Sequence, residues 1–60
     1  MVDYRKLKIG QPVLFFGVEF DGEFKVNAVV TKVEEDHAIA RGDDMNLWID
    51  DRNADLFKLL

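Results

Sequence analysis

The sequence predicts an all-β domain, a small antiparallel barrel of five strands, from three observations. An Asp-Gly pair at positions 21 and 22 separates two runs rich in β-branched and aromatic residues, which indicates a β-hairpin. The second of these runs alternates apolar and polar residues with the period of two that a half-buried strand shows. Two shorter strand-like runs and an apolar C-terminal run follow, separated by turn residues, and no stretch has convincing helical spacing.

The first predicted strand covers residues 13–20, after a tight turn at residues 10–12. Gly17 inside this strand predicts a bulge or a bend, because a glycine in a strand interior commonly marks one. The Asp21-Gly22 pair predicts a type I′ turn, which requires positive φ at both central positions. Together these residues predict a tight hairpin with an irregular first strand.

The second predicted strand covers residues 23–33 and supplies one apolar face of the sheet, formed by Phe24, Val26, Ala28 and Val30. Beyond Thr31 the alternation slips, since Val33 is out of phase with Val30. A bulge near Thr31 and Lys32 would restore the phase and help a small sheet curl onto itself.

The rest of the chain predicts three short strands. The third covers residues 37–41 and the fourth residues 45–49, while residues 56–60 form the last. In the fourth strand Met45, Leu47 and Ile49 face inward, and the outward residues are Asn46, Trp48 and Asp50. The polar corner at residues 50–53 predicts one turn of 3₁₀ helix before the last strand. Residues 2–8 fit either a single helical turn or an extended lead-in.

The size and composition allow one domain, residues 1–60, near the lower limit for independent folding. There is no cysteine, so neither a disulfide nor a thiolate zinc site is available. The longest apolar run, residues 13–16, is far too short to cross a membrane, and residues 1–5 lack the apolar stretch of a secretory signal. We therefore expect a cytoplasmic domain without a membrane partner, stabilised by its core and by an oligomer interface if it self-associates.

The charges are unevenly distributed. The net charge of −4 argues against sequence-independent binding to nucleic acid, which depends on clustered lysine and arginine. The first eight residues are basic, whereas acidic residues group at predicted turns, namely at 34–36, 43–44 and 50–51. The simplest explanation is that aspartate hydrogen-bonds its own backbone in turns and keeps loops solvated.

This order of elements resembles an SH3-like barrel. The likeness depends on the G-x-x-V opening at Gly10–Val13, the long bent second strand, and the short turn between the fourth and fifth strands. The segment "GQPVLFFG…NAVVTKVEEDHAIA…LWI" is also similar to small bacteriophage-encoded proteins that pair such an opening with an "AAIVTKV…D" strand and an "LWV"-type strand. This likeness covers roughly residues 9–49 and implies a compact barrel of mostly unassigned function, with no catalytic residue transferred. The chain lacks the basic surface of the chromatin-type and ribosomal members of the SH3-like group, and it shows no four-sided aromatic cage.

The chain holds few residues suited to catalysis. It has no serine, no cysteine and one histidine, so His37 beside Asp36 is the only candidate general base with a neighbouring carboxylate. Adjacent strand residues point to opposite faces, so the two side chains should not converge if both lie in a strand, and His37 is interpreted as a surface turn residue. The carboxylates of residues 34–36 and 43–44 could meet at one end of the barrel, but their spacing does not match a calcium loop. We expect no enzymatic activity, no cofactor and no metal.

The seven aromatic side chains carry more information about function. Phe15 and Phe16 cannot both face the core, and counting from Val13 places Phe15 inward and Phe16 outward beside Leu14 and Val18, or the reverse if the register shifts at Gly17. Trp48 lies on the polar face of its strand. It is either an anchor for a protein partner or a cap that buries itself at an open end of the barrel.

The leading hypothesis is a non-enzymatic protein-binding module, a phage accessory or host-interaction factor in the host cytoplasm. Trp48, Phe16 and Leu14 would be its anchor residues, and acidic loops containing Asp43 and Asp44 would select a basic partner. One alternative is a self-associating structural or virion-assembly subunit, because strands at sheet edges pair readily. The other is a weak nucleic-acid-binding barrel that uses aromatic stacking and the cations Arg5, Lys6, Lys8, Lys25 and Lys32.

Overall fold

The computed structural model describes residues 3–19 and 22–60, and only the backbone of residues 18 and 19. The five strands are β1 (Pro12–Glu19), β2 (Gly22–Val33), β3 (Ala38–Arg41), β4 (Asn46–Ile49) and β5 (Phe57–Leu59), with 3₁₀ turns at Tyr4–Lys6 and Ala54–Leu56. The strands form one antiparallel sheet in the order β4-β3-β2-β1-β5. The all-β class with five antiparallel strands is thus confirmed, and the strand order is compatible with an SH3-like fold. The hydrogen-bonded sheet is open, with β4 and β5 at its two edges.

The hairpin of β1 and β2 is regular along its whole length. The pairing runs without a shift from Pro12 opposite Val29 to Glu19 opposite Gly22, so the predicted bulge at Gly17 is wrong. Gly17 lies directly opposite Phe24, and a Cβ built at Gly17 would collide with the Phe24 ring. The glycine leaves room for an aromatic ring that crosses over it from the neighbouring strand.

Gly22 is the first residue of β2 and has the positive φ expected of a glycine near the turn, 140°. Its pairing with Glu19 places it in the ladder. The other half of the predicted turn pair, Asp21, lies outside the described residues, as does Phe20 at the predicted end of the first strand.

The predicted bulge in β2 is confirmed. Val30 pairs with Ala40 and Lys32 with Ile39, so Thr31 is the extra residue. Its hydroxyl Oγ1 donates a 3.3 Å hydrogen bond to the Ile39 carbonyl. Before the bulge the even-numbered residues of β2 face the core, and after it the odd-numbered residues do. The bulge also bends the strand, which lets the short β3 and β4 cover the core.

The core lies on the concave face of the sheet and is made largely of small and branched residues. Phe15 packs against it, with its ring 4.9 Å from that of Phe57 and 5.9 Å from that of Phe24. Val13 and Phe15 therefore face inward, and Leu14 and Phe16 face outward. The buried apolar residues are Tyr4, Leu7, Val13, Ala28, Val30, Ala38, Ala40, Ile49, Ala54 and Phe57.

The two 3₁₀ turns attach the ends of the chain to this core. The first forms because the Asp3 carboxylate accepts a 3.1 Å hydrogen bond from the Arg5 N–H, and it places Tyr4 in the core. The second does not lie at residues 50–53, as predicted, but follows them at Ala54–Leu56, since residues 50–53 form a separate hydrogen-bonded turn. Leu56 consequently belongs to this 3₁₀ turn and not to the last strand.

Candidate functional site

Trp48 lies on the outer face of β4, opposite Ile39 of β3, and is 50% exposed. Its indole ring stacks on the imidazole of His37, with ring centroids 3.7 Å apart and planes 7° apart. This exposure does not fit a cap that buries itself at a barrel end. Since His37 covers one face of the indole, the exposed half must lie largely on the opposite face and the edges.

A polar corner holds Trp48 in place through its ring nitrogen and its backbone. The indole Nε1–H donates a 3.1 Å hydrogen bond to Asp50 Oδ2, which also accepts one of 3.0 Å from Arg52 Nη2. Asn53 Nδ2 donates to the Trp48 carbonyl over 2.7 Å, while Asn53 Oδ1 accepts from the Asp50 N–H over 2.9 Å. The Arg52 guanidinium and its backbone N–H are the main reasons that the pKa of Asp50 lies below its usual value.

His37 and Asp36 converge, an arrangement that strand geometry would exclude only if both residues lay in a strand. Both lie in the link between β2 and β3, outside any strand, so the rule that neighbours point to opposite faces does not apply. His37 Nδ1 lies 2.7 Å from Asp36 Oδ1, and this hydrogen bond is the largest cause that lowers the pKa of Asp36. The His37 side chain is only 14% exposed, whereas that of Asp36 is 84% exposed. The pair therefore presents a carboxylate to solvent and an imidazole to Trp48.

The sequence contained a signal for the contact between His37 and Trp48. The short connection at residues 42–45 sets the pairing of β3 with β4, in which Ile39 lies opposite Trp48 and Ala38 opposite Ile49. His37 precedes Ala38 and points to the same face of the sheet as Ile39, so it lies diagonally across from Trp48. A carboxylate–imidazole pair could orient a general base, but His37 contacts Asp36 and Trp48, and the Thr31 hydroxyl donates to the Ile39 carbonyl.

A second aromatic patch lies on the outer face of β1. Phe16 and Leu14 are half-buried there, and Phe16 pairs across the hairpin with Lys25. The ammonium groups of Lys25 and Lys58 lie 5.6 Å and 5.2 Å from the centre of the Phe16 ring, within the range of cation–π attraction. This patch is therefore aromatic and basic.

The other two predicted site residues lie near this basic patch. Asp43 and Asp44 are exposed in the connection between β3 and β4, and they line a hollow of about 200 Å³ with Lys25 and Met45. Phe16, Leu14, Asp43 and Asp44 thus belong to one region of the molecule.

Trp48 belongs to a different region of the same face. Phe16 of β1 lies opposite Lys25 of β2. Trp48 of β4 lies opposite Ile39 of β3, which in turn lies opposite Lys32 of β2. Lys25 and Lys32 are separated by roughly 20 Å along β2, from the rise of about 3.3 Å per strand residue. The structure does not bring the five predicted residues into one contiguous patch.

In the described parts of the chain, no three side chains of His, Asp or Glu come together in a way that could hold a metal ion. The helical segments of residues 3–19 and 22–60 include none long and apolar enough to cross a membrane.

No family model matches this chain, and neither a curated protein nor a solved structure matches it significantly.

Proposed function

We propose that this chain is a non-enzymatic protein-binding module whose contact surface is centred on Trp48. The observation that carries the proposal is that Trp48 is half exposed and yet held by the His37 stack, the Asp50 carboxylate and the Asn53 amide. Tryptophan is among the residues most enriched at the energetic centres of protein interfaces.

The fixed geometry of Trp48 favours binding because little side-chain freedom remains to be lost. Ordering a free side chain on association costs about 0.5–1.5 kcal/mol. Here the ring orientation is already set by a stacked neighbour and by a hydrogen bond from Nε1. A partner that covers the open face of the indole gains its burial without that cost.

The surroundings of Trp48 favour a basic partner. Asp36 and Asp50 lie at the edges of the stacked pair, and the exposed carboxylate of Asp36 is free to meet a cation from outside. An arginine or lysine of the partner could lie over the open indole face and near the Asp36 carboxylate, a combination of cation–π and charge attraction, whereas the Asp50 carboxylate is already paired with Arg52.

The patch of Phe16 and Leu14, with Asp43 and Asp44 beside it, would be a separate part of the contact surface. A partner that covers both regions must extend over roughly 20 Å of the sheet, from the strand rise. A smaller partner would use the Trp48 region alone. The role of a phage accessory or host-interaction factor in the host cytoplasm is supported by the resemblance of the sequence to small phage proteins.

An affinity capture with a matched pair of variants tests the proposal. The immobilised domain is exposed to lysate of the source cell, with and without nuclease, alongside Trp48→Ala and the control Ile9→Ala. Ile9 is also an exposed large apolar residue, but it lies in the turn before β1 and belongs to neither region of the contact surface. We expect one enriched protein that survives nuclease, is retained by the control, and binds Trp48→Ala more weakly by about 2 kcal/mol.

Equal loss of the captured protein in both variants would contradict Trp48 as the centre of the surface. Capture that disappears with nuclease would indicate the nucleic-acid alternative, for which Phe16 between Lys25 and Lys58 is the structural support. NMR spectra of each variant control for folding.

Self-association is the second candidate function, favoured by a specific observation. Large apolar side chains are exposed at or near the edge strand β5, namely Leu56, Leu59 and Leu60. Edge strands with exposed apolar residues pair readily with other chains. Sedimentation of the purified protein between micromolar and millimolar concentration tests it, and a monomer throughout would exclude a self-assembling subunit.

A further inference from the structure

A cleft of about 430 Å³ separates the first 3₁₀ turn from β5. Its apolar lining comes from Leu7 and Phe57, which are almost fully buried, and from Leu59, which is 54% exposed. Lys6 and Lys58 also line it, together with Asp3 and Gln11. The cleft therefore combines apolar walls with lysine side chains, and it lies along an edge of the sheet.

The register of β5 against β1 determines which of its backbone groups face this edge. The Leu60 N–H donates to the Pro12 carbonyl over 3.3 Å, so these residues form a hydrogen-bonded pair. In an antiparallel ladder such pairs recur at every second residue, which makes Leu14 and Lys58 the next one. Lys58 therefore directs its N–H and C=O toward β1.

Phe57 and Leu59 consequently direct their backbone groups away from β1. The Phe57 N–H is used, since it donates to the Ala54 carbonyl at the end of the second 3₁₀ turn. The Phe57 carbonyl and both backbone groups of Leu59 have no backbone partner among the residues that the structure describes. These three groups form the pattern that an added strand requires.

The side chains of β5 determine what such a strand should contain. Lys58 points to the outer face, with its ammonium 5.2 Å from the Phe16 ring, so the residue opposite it should be acidic. In the added strand, the residues before and after the acidic one point to the inner side, toward Leu7, Phe57 and Leu59, and should be apolar. Lys6 on the opposite wall adds to the positive charge, which the Asp3 carboxylate offsets only in part.

We propose that this cleft binds an extended protein segment of alternating apolar and acidic residues, which adds to the sheet as a sixth strand beside β5. A second copy of β5 does not meet the charge requirement, because an antiparallel copy would place a lysine opposite Lys58 if centred on Lys58 and a leucine opposite it if centred on Leu59. The site is separate from the Trp48 surface, since β5 and β4 are opposite edges of the sheet.

The test uses two capped heptapeptides, one in which valine alternates with glutamate and one in which it alternates with lysine. Each is titrated into the ¹⁵N-labelled protein and followed by NMR. We expect the glutamate peptide to shift the amides of β5 and of the first 3₁₀ turn, and to bind about tenfold more tightly than the lysine peptide. Lys58→Glu should reverse that preference.

Leu59→Pro tests the hydrogen-bond pattern. It removes an N–H that β1 does not use, so the fold should persist while binding of the glutamate peptide falls at least about tenfold. Leu59→Ala keeps the N–H and loses only a cleft wall, so its loss should be smaller. Equal binding of both peptides, no binding at millimolar peptide, or equal loss in the two Leu59 variants would each overturn the proposal.

Discussion

The close approach of Phe24 to Gly17 makes Gly17→Ala the most direct test of the hairpin register. A Cβ at this position would lie 2.7 Å from Phe24 Cε2 and still closer to two other ring atoms, so the ring must move. Overpacking of this kind costs about 1–3 kcal/mol. Displacing the ring also weakens its edge contact with Phe15, worth about 0.5–1.5 kcal/mol. Against this, alanine is favoured over glycine in a strand by about 0.5–1 kcal/mol.

These contributions give a net loss of about 2 kcal/mol from Gly17→Ala, or a melting temperature lower by about 10 °C for a domain of this size. Urea and thermal unfolding followed by circular dichroism measure both quantities. The second half of a double-mutant cycle is the same change in a Phe24→Val background, where the smaller side chain leaves room for the new methyl group. There Gly17→Ala should be neutral or stabilising. An equal cost in both backgrounds would refute the argument that the Phe24 ring is what requires glycine.

Three further predictions concern the surroundings of Trp48. Asn53→Ala removes the hydrogen bonds to the Trp48 carbonyl and the Asp50 N–H and should cost about 1–2 kcal/mol in urea unfolding; no loss would show that these bonds contribute nothing net. Arg52→Ala should raise the pKa of Asp50 toward its ordinary value of 3.8, measured by carboxyl NMR titration, and an unchanged pKa would contradict the ion pair. Because the folded-state pKa is lowered, the pair stabilises the fold above the unfolded pKa, and that stability is lost as the pH falls through the folded-state value, below about 3.8. His37→Ala should expose the second face of the indole and shift tryptophan emission to longer wavelength, whereas an unchanged spectrum would argue against the stack.

The strands were predictable because their signals are local. The alternation from Phe24 to Val30 and the phase slip at Val33 located both β2 and its bulge, since a period of two leaves little choice of face where one side is buried. Gly17 was not predictable in this way, because a glycine in a strand can mark a bulge or make room for a neighbour. Which use applies depends on the residue opposite, and that residue is fixed only by the pairing.

The candidate site was predictable only in part, for the same reason. Alternation placed Trp48 on the outer face, and it is exposed there. The stack with His37 required the register of β3 against β4, and the convergence of Asp36 with His37 required the side-chain directions within the link between β2 and β3. Separating Trp48 from Phe16 required the order of all the strands.

The sequence by itself determined the all-β class, the number of strands, the bulge in β2, and the inward faces of β2 and β4, because these follow from side-chain alternation and turn chemistry within a few residues. The tertiary structure decided which face of β1 is buried, which residues face each other across strands, where the sheet has its open edges, and which backbone groups of β5 point away from β1. These features depend on strand register and order, and residues distant in the chain meet only once the sheet has formed.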